Sequence, residues 1–346
     1  MVIKTRDRRY DFIRVVAMGL VILIHAMDSV QLAPSLTNQI WKEAATTLIM
    51  LCNPLFFMMS GHFNLHFKGN KKEDYGRYYW KKIISIIIPL IIYQLIYYIV
   101  TVSLTSDFRT VKLFIHIFIL NILQNYVTTY FWFMYILIAF LIAAPFLSKM
   151  LDQLSSTEQK IFMYALIGIQ VAGWLFKIVG INWGLNSYPF SGWLIYFLLG
   201  RLLESNRKSL TQFERLLVII LIVVINTLLV IIFPQSKGWG LFDLSPLYIL
   251  LSVMMYKGLL NSTMCQNLAE TKVITVLARY SFSIYLIHGA ILLLIVPYLQ
   301  KNHSIMGILL IFASTYVISL IVAISMDNLV INPIQKHLYK KVLLNA

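Results

Sequence analysis

The sequence predicts an all-α protein, a bundle of helices that crosses a membrane about ten times. Hydrophobic residues make up 59% of the 346 residues and charged residues only 12%, whereas a soluble protein has about a quarter of its residues charged. Apolar runs long enough to cross a bilayer also recur along the whole chain. No hydrophilic stretch between them is long enough for a second domain. Residues 1–346 are therefore expected to form a single transmembrane domain.

Ten apolar segments are expected to span the membrane. They are residues 11–29, 44–60, 83–104, 131–148, 161–180, 190–204, 216–233, 246–260, 282–299 and 305–327. A further segment, residues 110–130, has only a short apolar run that contains His116 and Asn121. We place it at the outer surface, as an interfacial or re-entrant segment, because it is too short and too polar to span.

The distribution of positive charge gives the expected orientation. Lys and Arg outnumber Asp and Glu by 29 to 14, which gives a net charge of +15. Most of them fall in alternate connections, at residues 1–10, 66–82, 148–160, 204–215, 257–280 and 334–346. Connections rich in Lys and Arg stay on the cytoplasmic side of a membrane. Both termini are therefore predicted to be cytoplasmic, and the excess charge requires no nucleic acid partner.

The first apolar segment carries polar residues that are costly inside a bilayer. Arg14 and His25 are eleven residues apart, which in a helix is three turns and about 20°, so they share one face roughly 16 Å apart. Asp11 precedes Arg14 by three residues and Asp28 follows His25 by three, a spacing at which helical side chains meet. Neutral histidine can accept a proton from a hydroxyl, and arginine can bind a phosphate. The alternatives are an interfacial anchor for Arg14 and a structural hydrogen bond for His25.

At these residues the sequence resembles the acyltransferase 3 family of integral-membrane acyltransferases. That family opens with an "FDxLR" type motif and an R-x10-H spacing, and here the segment is "YDFIRVVAMGLVILIH". Further segments, among them "NPLFFMMSGHF", "YFWFMYILIAFLIAAPFL" and "YSFSIYLIHGAIL", resemble family motifs in the family's order. They contain Ser60, Trp132, Tyr135, Ser281, Tyr285 and His288. The resemblance covers nearly the whole chain.

The resemblance implies transfer of an acyl group, usually acetyl from acetyl-CoA, to a hydroxyl. Typical acceptors are cell-surface glycans, peptidoglycan, lipid-linked sugars and exported small molecules, and the bacterial plasma membrane is the expected location. Acyl-CoA is then a co-substrate, with no bound cofactor. Many members carry a fused extracytoplasmic esterase-like domain, for which this chain is too short. Acetyl versus a longer acyl group, and direct transfer versus a covalent intermediate, stay open.

Two groups of residues carry the expected reaction. His25 is the expected general base, with Arg14 and Asp11 beside it on the first helix. Arg14 is also expected to contact the donor phosphates, together with Arg77, Lys81 and Lys82. The family usually has arginines in the stretch that contains these two lysines, and lysine lacks the two-pronged geometry of a guanidinium.

Other polar residues have a structural and a functional interpretation. His288 lies on one helical face with Tyr285 and Ser281, where it either binds a neighbouring helix or supports His25. Trp132 and Tyr135 suit either an interfacial aromatic belt or a platform for the acceptor. His62 and His66 flank a basic connection and are expected to be solvated.

The alternative function is a proton-coupled transporter or flippase of a glycan or lipid-linked intermediate, since intramembrane Arg, Asp and His also suit proton coupling. The sequence shows no pair of interrupted spans in two halves, which many transporters have. A non-catalytic partner of a glycan synthase is a third interpretation. The chain has no GxSxG or HExxH motif and only two distant cysteines, so no serine nucleophile, metal site or disulfide is expected.

Overall fold

The structure, a computed structural model, describes residues 7–105, 110–178, 181, 183, 192–203, 210–232, 245–300 and 303–344. Every regular element in these ranges is helical. Eight helices in them are long and apolar enough to cross a membrane. The predicted all-α, polytopic fold is confirmed, whereas the number of spans and the side of each terminus stay predictions.

The helices follow the predicted order. The first eight are α1 (Arg8–Asp28), α2 (Leu36–Ile49), α3 (Cys52–Asn64), α4 (Lys72–Lys82), α5 (Ile88–Thr105), α6 (Val111–Gln124), α7 (Trp132–Gln153) and α8 (Ser156–Ile178). The others are α9 (Trp193–Leu202), α10 (Gln212–Ile232), α11 (Pro246–Asn261), α12 (Thr263–Ala269), α13 (Lys272–Leu299), α14 (Ile305–Met326) and α15 (Asn332–Leu344). Two π-helical segments, Ile83–Ile87 and Asp327–Ile331, and a 3₁₀ turn, Thr129–Phe131, continue directly into neighbouring helices.

Each of the ten predicted spans coincides with helix where the structure describes it. Eight of them fall in the long apolar helices, whereas α9 has 10 residues and α11 has 16. Residues 179–180, 190–191, 204 and 233, at the ends of predicted spans, lie outside the described residues. The surface segment at 110–130 contains α6, a helix of 14 residues with none of them buried. Its place at the outer surface stays a prediction.

The predicted span at 44–60 is divided between α2 and α3. Proline has no N–H, so Pro54 cannot donate a helical hydrogen bond to the carbonyl of Met50. That carbonyl accepts a weak contact from the thiol of Cys52 instead, at 3.7 Å. The helix α2 therefore ends at Ile49, and α3 begins at Cys52.

The basic connection at residues 66–82 is helical over most of its length. α4 begins at Lys72 and runs without a gap into the π-helical segment and α5. The Asp74 carboxylate accepts hydrogen bonds from the N–H groups of Asn70 and Lys71, both at 3.1 Å, and so caps the helix start. The sequence features that indicate this helix are the acidic Asp74 in its first turn and the basic Lys81 and Lys82 in its last turn.

The chain divides into two compact units. The first unit contains Met1–Ile24, Leu32–Phe67 and Ala144–Ala278, and the second contains His25–Gln31, Lys68–Ala143 and Arg279–Ala346.

In the first unit, α3 and α9 approach until their backbones touch. A Cβ added to Gly61 would lie 1.7 Å from the carbonyl oxygen of Phe197, and one added to Gly200 would lie 1.9 Å from that of Met58. Glycine at both positions permits this contact, as small residues do between membrane helices. The close helix contact beside Ser60 is therefore made by Gly61.

In the second unit, Tyr135 joins three helices. Its hydroxyl donates to the carbonyl of Ile122 at the end of α6 and accepts a hydrogen bond from the Gln94 side chain on α5, at 3.2 Å. Tyr135 itself lies on α7, so these two hydrogen bonds connect α5, α6 and α7. Its role as a platform for the acceptor stays a prediction.

Candidate active site

His25 lies in the second unit against two aromatic rings. The ring of Tyr130 meets it edge-on, with centroids 4.6 Å apart, and the ring of His288 stacks at 5.4 Å with 22° between the planes. Tyr130 and His288 also contact each other, at 5.4 Å. These three side chains, which we call the histidine cluster, come from α1, the 3₁₀ turn and α13.

The backbone holds Tyr130 in place. Its carbonyl accepts a hydrogen bond of 2.7 Å from the hydroxyl of Tyr285, and its N–H bonds the Thr128 hydroxyl at 3.4 Å. Gly289 gives the ring its space, because a Cβ there would lie 2.4 Å from Cδ2 of Tyr130. The packing of Tyr130 in the cluster therefore requires glycine at position 289 of α13.

His288 presents an unused nitrogen. Its Nδ1 is bonded to the carbonyl of Tyr285, and a carbonyl only accepts, so Nδ1 carries the proton and Nε2 is an acceptor. Nε2 is buried without a hydrogen-bond partner among the residues that the structure describes. A buried polar atom left unpaired is costly. An entering hydroxyl would relieve that cost.

His25 is half-buried and more accessible than His288. Its backbone carbonyl accepts both the N–H and the hydroxyl of Ser29, at 3.2 and 2.7 Å, as α1 ends. The ring nitrogens bond no residue in the described ranges, so they are available to a substrate. Asp28 is exposed in the last turn, and its predicted role beside His25 stays a prediction.

The charged end of α1 belongs to the first unit. Arg14 Nη1 lies 3.6 Å from Asp11 Oδ1, the contact expected of their three-residue spacing. The Asp11 side chain is 5% exposed and that of Arg14 is 33% exposed. Their functional roles stay predictions.

The other predicted donor residues lie in the second unit, on α4. Lys81 is exposed, and the ammonium of Lys82 lies over the ring of Tyr78, 5.2 Å from its centroid. Arg77 pairs with Asp74 at 3.2 Å. Arg77 and Lys82 thus each contact another side chain, whereas Lys81 is exposed.

The remaining predicted residues contact protein groups. The carbonyl of half-buried Ser60 accepts a hydrogen bond from the Asn64 side chain at 2.7 Å, and Ser281 is 2% exposed on α13. Trp132 packs at a right angle to the ring of Phe133. None of these three residues belongs to the histidine cluster.

The expectation of a solvated His62 is wrong. Its ring stacks on Tyr10 at 4.1 Å, and its Nδ1 is hydrogen-bonded to the Tyr10 hydroxyl at 3.1 Å. Residue spacing could not reveal the contact, because 52 positions separate the pair.

Sequence reasoning missed Tyr130 and Asp327. Tyr130 was assigned to the end of the surface segment, although the aromatic run that begins there was a usable signal. Asp327 is an acid within the 37-residue helical stretch Ile305–Lys341, and its carboxylate accepts a hydrogen bond from Ser283. An acid at the end of an apolar segment is itself a signal of function or pairing.

Comparison with known proteins gives one match. A family model described as an acyltransferase domain matches residues 7–324, nearly the whole chain. No curated protein and no solved structure matches. Within the described ranges, no group of three or more His, Cys, Asp or Glu side chains could hold a metal ion.

Proposed function

The chain belongs to the acyltransferase 3 family, and on that premise we propose that this membrane acyltransferase is an O-acetyltransferase of the cell surface. The proposed donor is cytoplasmic acetyl-CoA, or another acyl-CoA. The proposed acceptor is a hydroxyl of a surface glycan, a lipid-linked sugar or a similar molecule. The proposed location is the bacterial plasma membrane, with both termini in the cytoplasm, as the alternation of basic connections predicts.

His25 is the general base in this proposal. The acceptor hydroxyl gives its proton to a ring nitrogen of His25 as its oxygen attacks the thioester carbonyl of the acyl-CoA. The tetrahedral intermediate then collapses, the carbon–sulfur bond breaks, and the departing sulfur takes the proton from His25. Ester and free CoA are the products, and the histidine returns to its neutral form.

The histidine cluster is the observation that carries this proposal. A half-buried histidine with unoccupied ring nitrogens stands beside a buried histidine whose Nε2 can only accept. Sugars offer neighbouring hydroxyls, so one can give its proton to His25 while the next donates to Nε2 of His288. A carbohydrate acceptor therefore suits the cluster better than an isolated alcohol.

The donor phosphates are assigned to cationic residues of the predicted cytoplasmic side. Arg14, oriented by Asp11, is one candidate contact in the first unit. Lys81 and Lys82 are separate candidates in the second unit. Arg77 is a weaker choice, because Asp74 already neutralises it. These assignments rest on charge and predicted topology.

Turnover by the purified protein tests the reaction. Protein in detergent or nanodiscs is incubated with isotope-labelled acetyl-CoA and surface glycan from a deletion strain, and both free CoA and labelled glycan are measured. We expect label on the glycan and release of one CoA per ester. A transporter, a flippase or a non-catalytic partner would transfer no label, and that result with active acceptor preparations would contradict the proposal.

A further inference from the structure

The first unit contains a cavity of about 720 Å³ that the catalytic proposal does not use. Its charged lining residues are Asp7, Arg9, Arg215 and Lys257, three cations and one carboxylate. They come from three connections, at residues 1–10, 204–215 and 257–280, that the sequence predicts to be cytoplasmic. The volume lies in the range of pockets for cofactors and other small molecules and far exceeds what a single phosphate would fill.

Arg215 is the most informative residue of this cavity. It is 2% exposed, and its guanidinium donates to two neutral acceptors, the side-chain oxygen of Gln212 at 3.1 Å and the carbonyl of Leu210 at 2.7 Å. In the described ranges it has no carboxylate partner. Glu214, one residue earlier, accepts both the N–H and the hydroxyl of Thr211, at 2.8 and 2.9 Å. A buried guanidinium without an acid is expensive unless an anion joins it.

Lys257 increases that cost. It lies close enough to Arg215 for electrostatic repulsion between the two cations. The next residue of α11 is Gly258, where a Cβ would lie 3.3 Å from Cδ of Arg215, so the absence of a side chain leaves room for the arginine stem. Two like charges are thus held at one cavity wall.

The carboxylate in the cavity does not neutralise these two cations. Asp7 accepts hydrogen bonds from the side chain of Arg9 at 2.6 to 3.1 Å, so these two charges cancel. Arg215 and Lys257 remain as the excess positive charge of the lining. A ligand with phosphate groups would satisfy both, because guanidinium and ammonium are the usual protein partners of phosphate.

We propose that this cavity binds the phosphate groups at the nucleotide end of the acyl-CoA donor, with Arg215 and Lys257, rather than the cations assigned above from charge and topology, as their principal contacts. The proposal rests on the proposed function, because it takes acyl-CoA as the donor. The nucleotide end of CoA carries several phosphate charges next to a bulky base and sugar. This matches a large cavity with two cations that have no acid partner among the described residues. Tyr10 and Tyr256, buried in the same wall, supply apolar surface beside the charges.

Binding of adenosine 3′,5′-bisphosphate tests the site without any acyl transfer. The ligand has the phosphates of that end of CoA and no thioester, and its Kd is measured on the full chain in phosphatidylcholine nanodiscs. Arg215→Gln and Lys257→Gln should each weaken binding about tenfold or more, since each removes a charge-assisted contact. Lys160→Gln removes an exposed lysine of the same unit that does not line the cavity, and should bind as the wild type does.

A second arginine variant separates binding from folding. Arg215→Lys keeps the charge but loses the two-pronged geometry, so we expect an affinity between those of the wild type and Arg215→Gln. Thermal unfolding of each variant identifies any that fail to fold. Lys257→Gln keeps the test decisive if both Arg215 variants unfold, because Lys257 is only half-buried.

The results that overturn the site differ from those that overturn the reaction. The binding site would be overturned if Lys257→Gln and a folded Arg215→Gln bound the bisphosphate as tightly as Lys160→Gln. It would also be overturned if the wild type did not bind the bisphosphate. A further measurement repeats the binding of the bisphosphate in nanodiscs of phosphatidylglycerol instead of phosphatidylcholine. If phosphatidylglycerol abolishes binding of the bisphosphate, the cavity holds lipid headgroups and the nucleotide assignment is wrong. If the protein binds the bisphosphate through Arg215 but transfers no acyl group, the proposed reaction is wrong and the proposed binding site is retained.

Discussion

The histidine cluster and the cationic cavity are both partly buried polar sites, but their chemistry differs. The cluster consists of three uncharged rings in mutual contact, with one buried acceptor nitrogen. The cavity has three cations and one carboxylate, and two of those cations lack a compensating acid in the described ranges. A neutral aromatic site suits proton exchange with a hydroxyl, whereas a site with excess positive charge suits a phosphate. In the proposed reaction, the cluster serves proton transfer and the cavity serves donor binding.

The difference between the cluster and the cavity can be tested by measuring turnover and nucleotide affinity separately. At saturating acyl-CoA, changes in the histidine cluster should lower turnover and leave nucleotide affinity unchanged. Changes in the cavity should weaken nucleotide affinity and raise the KM for acyl-CoA. Single substitutions at each site test that separation.

Replacing His25 by glutamine should remove most of the turnover. Glutamine keeps a polar side chain but cannot accept the proton, and a positioned base contributes about 10² to 10⁴ in rate. Affinity for adenosine 3′,5′-bisphosphate should be unchanged. Turnover of labelled acetyl-CoA is the measurement, and His337→Gln, an exposed histidine on α15, is the matched control.

The same experiment on His288 decides which histidine is the base. If His25→Gln transfers acyl groups at nearly the wild-type rate while His288→Gln does not, then His288 takes the proton and His25 is structural. We expect a smaller loss for His288→Gln, because its Nδ1 is already committed to the carbonyl of Tyr285.

Replacing Gly289 by alanine should disturb the cluster through Tyr130. The added methyl group would lie 2.4 Å from the tyrosine ring, and overpacking of this kind typically costs about 1 to 3 kcal/mol. We expect turnover to fall about tenfold with unchanged nucleotide affinity. Activity and thermal unfolding of the same preparations provide the measurement.

A double-variant cycle checks the cause of that loss. In a Tyr130→Ala background the clash is absent, so Gly289→Ala should stabilise the protein by about 1 kcal/mol, the helix preference of alanine over glycine. An equal loss of stability in both backgrounds would show that Tyr130 is not what Gly289 accommodates.

Replacing Arg14 by alanine tests whether a cation outside the cavity also binds the donor. The side chain is one-third exposed and paired with Asp11, so solvent screening limits its contribution. We expect affinity for CoA to fall about threefold to tenfold. Lys81→Gln and Lys82→Gln are measured beside it, and unchanged CoA affinity in all three folded variants would restrict donor binding to the cavity.

Replacing Asp7 by asparagine should strengthen nucleotide binding about twofold to fivefold. The change removes the carboxylate from the cavity and frees Arg9 for a phosphate, and exposed charges have small effects. It is therefore opposite in sign to Arg215→Gln. Weaker binding in Asp7→Asn would mean that Asp7 orients Arg9 for the ligand.

The pH dependence of that effect follows from the same ion pair. Hydrogen bonds from Arg9 lower the pKa of the Asp7 carboxyl below its ordinary value of 3.8. A depressed pKa means that the pair persists above 3.8 and is lost only as the pH falls through the lowered value. Asp7 therefore stays ionised between pH 5 and 8, and the difference between wild type and Asp7→Asn should persist over that whole range.

The sequence correctly predicted structural features that depend only on residues within one helix. Apolar length predicted the helical segments, and the eleven-residue spacing placed Arg14 and His25 on α1, which the structure shows as one continuous helix. The ion pair between Asp11 and Arg14 followed from the same local geometry. The break at residue 50 was also encoded locally, in Pro54, and a stricter use of the proline signal would have placed it.

The sequence by itself thus determined the membrane class, the helices, the family resemblance and the polar face of α1, since each depends on composition or on neighbours within a few turns. Only the tertiary structure brought His288, Tyr130 and Gly289 to His25, and only it gathered Arg215 and Lys257 at one cavity wall. The physical reason is that membrane helices are apolar on most faces, so periodicity does not mark which faces meet. Their packing is decided by shape and by a few polar contacts between residues far apart in the chain, such as the bond from Tyr285 to the carbonyl of Tyr130.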